Sequence, residues 1–74
     1  MKLTTWNVNG MRAALRKGFF RHLELINPDV LLLQEVRAFP EQLPDEVRSP
    51  SGWHVIWNPA LRPGYSGTAI WSRQ

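Results

Sequence analysis

Two short polar groupings in this chain have the residue types for metal or phosphate chemistry. One is Asn7 with Asn9, two amides separated by a single residue and followed by Gly10. The other is Gln34-Glu35-Val36-Arg37, an amide, a carboxylate and a guanidinium in close succession. Residues at i and i+2 of an extended segment point to the same side, so Asn7 and Asn9 could act together on a metal, a phosphate or a catalytic carboxylate. A lone carboxylate flanked by neutral amides suits a hard divalent cation that keeps part of its water shell. Plainer readings stand beside these. Asn9-Gly10 is also a tight-turn signal, and Glu35 could simply solvate the end of a strand.

What gives the pattern weight is the set of elements that must carry it. Val30 to Leu33 is an unbroken apolar run, which reads as a strand covered on both faces, and Pro28 marks its entry. Lys2 to Val8 carries Thr4, Thr5, Trp6 and Val8 and suits another strand. Between them, from about Gly18 to Ile26, the apolar residues Phe19, Phe20, Leu23 and Ile26 recur at helical spacing until Asn27-Pro28 ends the helix. Met11 to Lys17 is a basic stretch with Arg12, Arg16 and Lys17. Strand, helix and strand make a βαβ unit whose strands run parallel. If those strands are neighbours, Asn7, Asn9 and Glu35 meet at one carboxyl edge, where open α/β sheets place their chemistry.

The remainder supplies fewer signals. Ala38 to Ser51 is a polar, proline-containing connection with a helical turn expected around Gln42 to Val47. Trp53 to Trp57 and Thr68 to Ser72 read as third and fourth strands, pairing antiparallel across a loop from Ala60 to Gly67 with Tyr65 at its tip. His22 and His54 lack a second His or Cys at metal-ligand spacing and read as ordinary residues. The chain has 74 residues, no cysteine and a formal charge of +3. Disulfides and thiolate metal sites are excluded, and the charge is compatible with a polyanionic partner. No membrane-spanning or signal-peptide pattern is visible, so the expected location is intracellular, in the cytoplasm. Four strands with so little helix leave a sheet face uncovered, with Trp53, Trp57, Trp71 and Ile70 expected in water. The chain therefore reads as residues 1–74 of an incomplete domain.

Three blocks, in order and at matching spacing, resemble the N-terminal part of exonuclease III and the related abasic-site endonucleases of the exonuclease-endonuclease-phosphatase superfamily. They are Trp6-Asn7-Val8-Asn9-Gly10-Met11-Arg12-Ala13, Pro28-Asp29-Val30-Leu31-Leu32-Leu33-Gln34-Glu35-Val36-Arg37, and Gly64-Tyr65-Ser66-Gly67-Thr68-Ala69-Ile70. Arg37 departs from the pattern, since that family usually has Lys there; the charge is kept, but a planar fork replaces a point charge.

The resemblance implies an α/β chain forming the N-terminal part of a four-layer, DNase I-like sandwich, contributing about four strands and one or two helices. It also implies Mg²⁺-dependent hydrolysis of DNA phosphodiesters in base-excision repair, on double-stranded or abasic-site DNA, by a monomeric domain, with Mn²⁺ as an alternative ion. Glu35 matches the metal-ligand Glu, Asn7 a site-orienting Asn close to the metal, and Asn9 a position near it. Arg12, Arg37, Tyr65 and Ser66 fall at or beside positions facing DNA or the metal site. The later family motifs that activate the attacking water have no match here, so this chain alone is expected to be inactive. The alternatives are a phosphoesterase of the same superfamily and a non-catalytic nucleic-acid-binding fragment.

Overall fold

The computed structural model describes residues 1–62 and 64–73. Strand β1 (Leu3–Asn7) leads into two short helices, α1 (Met11–Arg16) and α2 (Phe19–Ile26), and then strand β2 (Val30–Gln34). A single 3₁₀ turn (Pro40–Gln42) and helix α3 (Asp45–Arg48) follow, before strands β3 (His54–Asn58) and β4 (Thr68–Ser72). The four strands form one sheet in the order β1-β2-β4-β3. β1 and β2 are parallel neighbours, and β4 pairs antiparallel with both β2 and β3.

The four strands fall where the sequence puts them, within one or two residues at their ends. The expected helix and helical turn correspond to α2 and α3; α1 is additional. Met11 and Ala14 are buried on α1, while Arg12 and Arg16 stand exposed. This amphipathic turn lacks a side-chain cap at Gly10, so no Ser, Thr, Asp or Asn announced it. Asn27 adopts the left-handed conformation at the C-cap of α2 (φ 49°), and its N–H donates to the Leu23 carbonyl at 2.8 Å. Asn tolerates that backbone better than most residues, and Pro28 then prevents the helix from resuming.

Burial alternates along every strand and defines two unlike faces. On the covered face, Leu31 and Leu33 of β2 and Ala69 and Trp71 of β4 are buried. Phe19 and Leu23 from α2, Met11 and Ala14 from α1, and Leu43 and Val47 around α3 complete that core. Trp71 is fully buried, its ring centroid 5.4 Å from that of Phe19, 5.7 Å from Trp53 and 6.1 Å from Trp57. The Trp57 indole N–H donates to the Arg48 carbonyl at 3.1 Å, which fastens α3 to the sheet.

The opposite face is open, and this corrects two expectations. β2 is covered on one face only: Val30, Leu32 and Gln34 are half-buried, shielded by flanking strands. Of the residues expected in water, Trp71 is the centre of the core, and Trp53 and Trp57 are half-buried against it. The alternation along β4 turns Trp71 inward and Ile70 outward. The apolar groups left exposed are Leu3 (58% exposed), Ile56 (66%) and Ile70 (45%). They lie in register with Val30 and Leu32 across the sheet.

Replacing Trp71 removes the side chain on which helix α2, the β3 aromatics and the sheet converge. Trp71→Ala should therefore destabilise by about 3–5 kcal/mol, the range for large aromatic cavities. Urea denaturation checks this, and a loss under about 1 kcal/mol would show that the core does not depend on that ring.

Candidate active site

The site is built from three loops that leave the same edge of the sheet. Parallel register sets Asn7 beside Gln34, so the residues that follow in each strand emerge together. The pairing outlasts the strands. Val8 N–H donates to the Gln34 carbonyl (3.1 Å), Gly10 N–H to that of Glu35 (2.8 Å) and Met11 N–H to that of Val36 (2.8 Å). From the other side, Val36 N–H reaches the Gly67 carbonyl at 3.0 Å and Arg37 N–H the Ser66 carbonyl at 2.7 Å. Segments 8–11, 35–37 and 66–67 thus form one stitched platform.

The backbone of this platform is twisted away from ordinary conformations. Asn9 (φ 48°), Glu35 (φ 53°), Arg37 (φ 56°) and Ser66 (φ 22°) all have positive φ without being glycine. Left-handed conformations cost side-chain-bearing residues roughly 1–2 kcal/mol each. Such outliers persist where surrounding bonds over-determine them and cluster at functional sites. Here the carbonyl and amide bonds around Glu35 and Arg37 do that holding.

Both oxygens of Glu35 are engaged. The Asn7 amide donates from Nδ2 to Oε2, and the Arg37 guanidinium contacts Oε1 from Nη2 at 2.6 Å. Asn7 is itself fixed, because its Oδ1 accepts the Asn9 N–H at 3.0 Å. The Glu35 side chain remains 37% exposed and that of Arg37 43%. An exposed pair of this kind adds at most about 1 kcal/mol to stability.

The remaining sequence candidates divide around that carboxylate. β1 ends at Asn7, so the alternation that would set Asn9 beside it stops there. Asn9 instead lines a shallow cavity of about 290 Å³ together with Arg12, Arg16, Arg37 and Gly64. Three guanidinium groups around one cavity suit an anion with several oxygens. Glu35 itself lines a separate cavity of about 340 Å³, together with Gln34, Asn58, Ser66 and Thr68. Ser66 thus contributes its carbonyl to Arg37 and borders this second cavity. Tyr65 is 62% exposed, with the Arg62 guanidinium 5.9 Å from its ring centroid. The structure does not bring it to Glu35, although its neighbour Gly64 borders the basic cavity. Pro63, in the same loop, lies outside the described residues.

Arg16 was not singled out by its sequence position. The available signal was its i+4 spacing from Arg12, which aligns two cations only once residues 11–16 are known to be helical. The one carboxylate at the platform, Glu35, fits part of a shell for a hard cation, since Mg²⁺ takes one or two carboxylates and keeps several waters. Among the described residues no group of three or more His, Cys, Asp or Glu is gathered. No helix among them is long and apolar enough to cross a membrane.

Comparison with known proteins bears on this geometry. An exodeoxyribonuclease of Bacillus subtilis is 44% identical over 75 residues, covering all of this chain and 29% of that protein. A DNA-(apurinic or apyrimidinic site) endonuclease of Dictyostelium discoideum is 35% identical over 74 residues, covering all of this chain and 20% of that protein. Among solved structures, a 3′-5′ exonuclease from Neisseria meningitidis matches with a TM-score of 0.76 at 38% identity, over 99% of this chain and 27% of its own. The chain thus spans less than a third of each of these three proteins. The family model described as "Endonuclease/Exonuclease/phosphatase family" matches residues 4–74, and the chain belongs to that family.

Proposed function

We propose that this chain is the metal-holding and phosphate-facing part of a Mg²⁺-dependent DNA phosphodiester hydrolase of the exonuclease III and abasic-site endonuclease type. The observation that carries the reading is the carboxylate of Glu35, held by Asn7 and by Arg37, which itself lines a cavity with Arg12 and Arg16. Glu35 would hold the metal, with Asn7 orienting it and Asn9 close by. A bound Mg²⁺, or Mn²⁺ in its place, supplies Lewis-acid polarisation of a phosphoryl oxygen. Arg12 and Arg37 neutralise backbone phosphates, which positions the nucleic acid without reading its sequence. Tyr65, exposed at a loop tip with Ser66 behind it, presents an aromatic surface to the minor groove or to a distorted site.

The names of the relatives favour DNA, at 3′ ends or abasic sites, as the substrate; a double strand, and base-excision repair as the setting, are part of the same proposal. The family also holds phosphatases, so a phosphoesterase acting on smaller substrates is the second reading. An open cavity lined by three arginines, bordered through Gly64 by the loop that carries the exposed Tyr65, suits a polyanion better than a single small phosphate.

In a complete domain carrying this chain, Glu35→Gln keeps the shape and removes the charge. It should weaken Mg²⁺ binding and lower the rate of DNA incision by about 10²-fold or more. Unchanged Mg²⁺ dependence would refute the assignment, and faster turnover of a small phosphomonoester than of DNA would favour the second reading. Arg12→Ala should weaken DNA binding and reduce its salt slope by about one unit. Tyr65→Ala should harm binding to abasic DNA more than to intact duplex, whereas equal losses would assign Tyr65 to loop packing alone. Residues 1–74 by themselves place one carboxylate, Glu35, at the platform and offer no match to the family's water-activating groups. Incubated with Mg²⁺ and an abasic duplex, they should stay at background; Glu35-dependent cleavage would overturn that expectation.

A further inference from the structure

Arg37 sits where a guanidinium both supports and opposes the use of Glu35. Its Nη2 lies 2.6 Å from Oε1, and the Asn7 amide holds Oε2. An ionised carboxylate has about four lone-pair directions, so a metal can still approach. The approach nonetheless brings a divalent cation within a few ångströms of a fixed positive charge. Its backbone is held in place, since its N–H is bound to the Ser66 carbonyl and its φ is 56°.

We propose that Arg37 is a resident cation that competes with the divalent metal for Glu35 and so lowers the metal affinity of the site. The inference rests on the reading of Glu35 as metal ligand and adds the sign of Arg37's effect. A residue that merely oriented the carboxylate would raise metal affinity by its presence; a competing cation lowers it. The two roles therefore predict opposite outcomes when the charge is removed. Both charged side chains are well over a third exposed, so water and salt screen the repulsion to a moderate size.

The test is calorimetric titration of Mn²⁺ into the purified protein carrying this chain, at fixed ionic strength and without DNA. Arg37→Gln should bind Mn²⁺ on the order of 3- to 10-fold more tightly than the parent. Arg37→Lys, which keeps the charge, should stay within about twofold of it. Arg37→Asn repeats the neutral test with a residue suited to the left-handed backbone, should the Gln protein fold poorly. Glu35→Gln separates the two levels of the argument. If it binds Mn²⁺ as the parent does, the metal-ligand reading of Glu35 fails. If it loses binding while both neutral Arg37 variants bind equally or more weakly than the parent, competition is refuted and Arg37 is a support for the carboxylate.

Discussion

The parallel pairing of β1 with β2 is the constraint on which everything at the sheet edge depends. Its hydrogen bonds continue past Asn7 and Gln34 through Gly10–Glu35 and Met11–Val36, where the chains are no longer strands. A shift of one residue in that register would carry Glu35 away from Asn7 and turn Leu31 and Leu33 from the core to the open face. Packing and site geometry are thus secured by one ladder. The apolar alternation that fills the core also fixes which oxygen of which carboxylate faces which amide.

Much of this was legible because it follows from local pattern. An apolar run after Pro28, a helical period through Phe19 and Leu23, and the βαβ rule together bring Asn7 and Glu35 to one edge. What escaped depended on tertiary contacts. Helix α1 has only one buried turn and no polar cap, so its sequence reads as a basic loop. The place of Trp71 depends on β4 entering between β2 and β3, which decides which of its faces meets Phe19. Positive φ at Glu35 and Arg37 has no sequence signal, since neither residue type favours it; backbone bonds to neighbouring loops impose it.

Charge is distributed unevenly about the platform. Arg12, Arg16 and Arg37 border one cavity, whereas the other is lined by Glu35 itself with the neutral Gln34, Asn58 and Thr68. The Arg37–Glu35 contact links the two, the guanidinium lining the first and the carboxylate the second. A polyanion laid along the basic side would meet a positive group before the carboxylate.

Strand β4 is the last of the described strands yet sits in the interior of the sheet. β3 and β4 are consecutive and pair antiparallel, so they make a hairpin that can form locally and join the sheet along the β2 edge. The long-range step is the β2–β4 ladder, which pairs Val30 with Ser72, and loop-closure entropy makes such pairing slower than local pairing. Until it forms, β2 has an unpaired edge of the kind that invites pairing with a second chain. The docking that completes the sheet also carries in Ser66 and Gly67, whose carbonyls receive the amides of Arg37 and Val36. Closing the sheet thus also completes the platform, and a hairpin that failed to dock would leave it without its third loop.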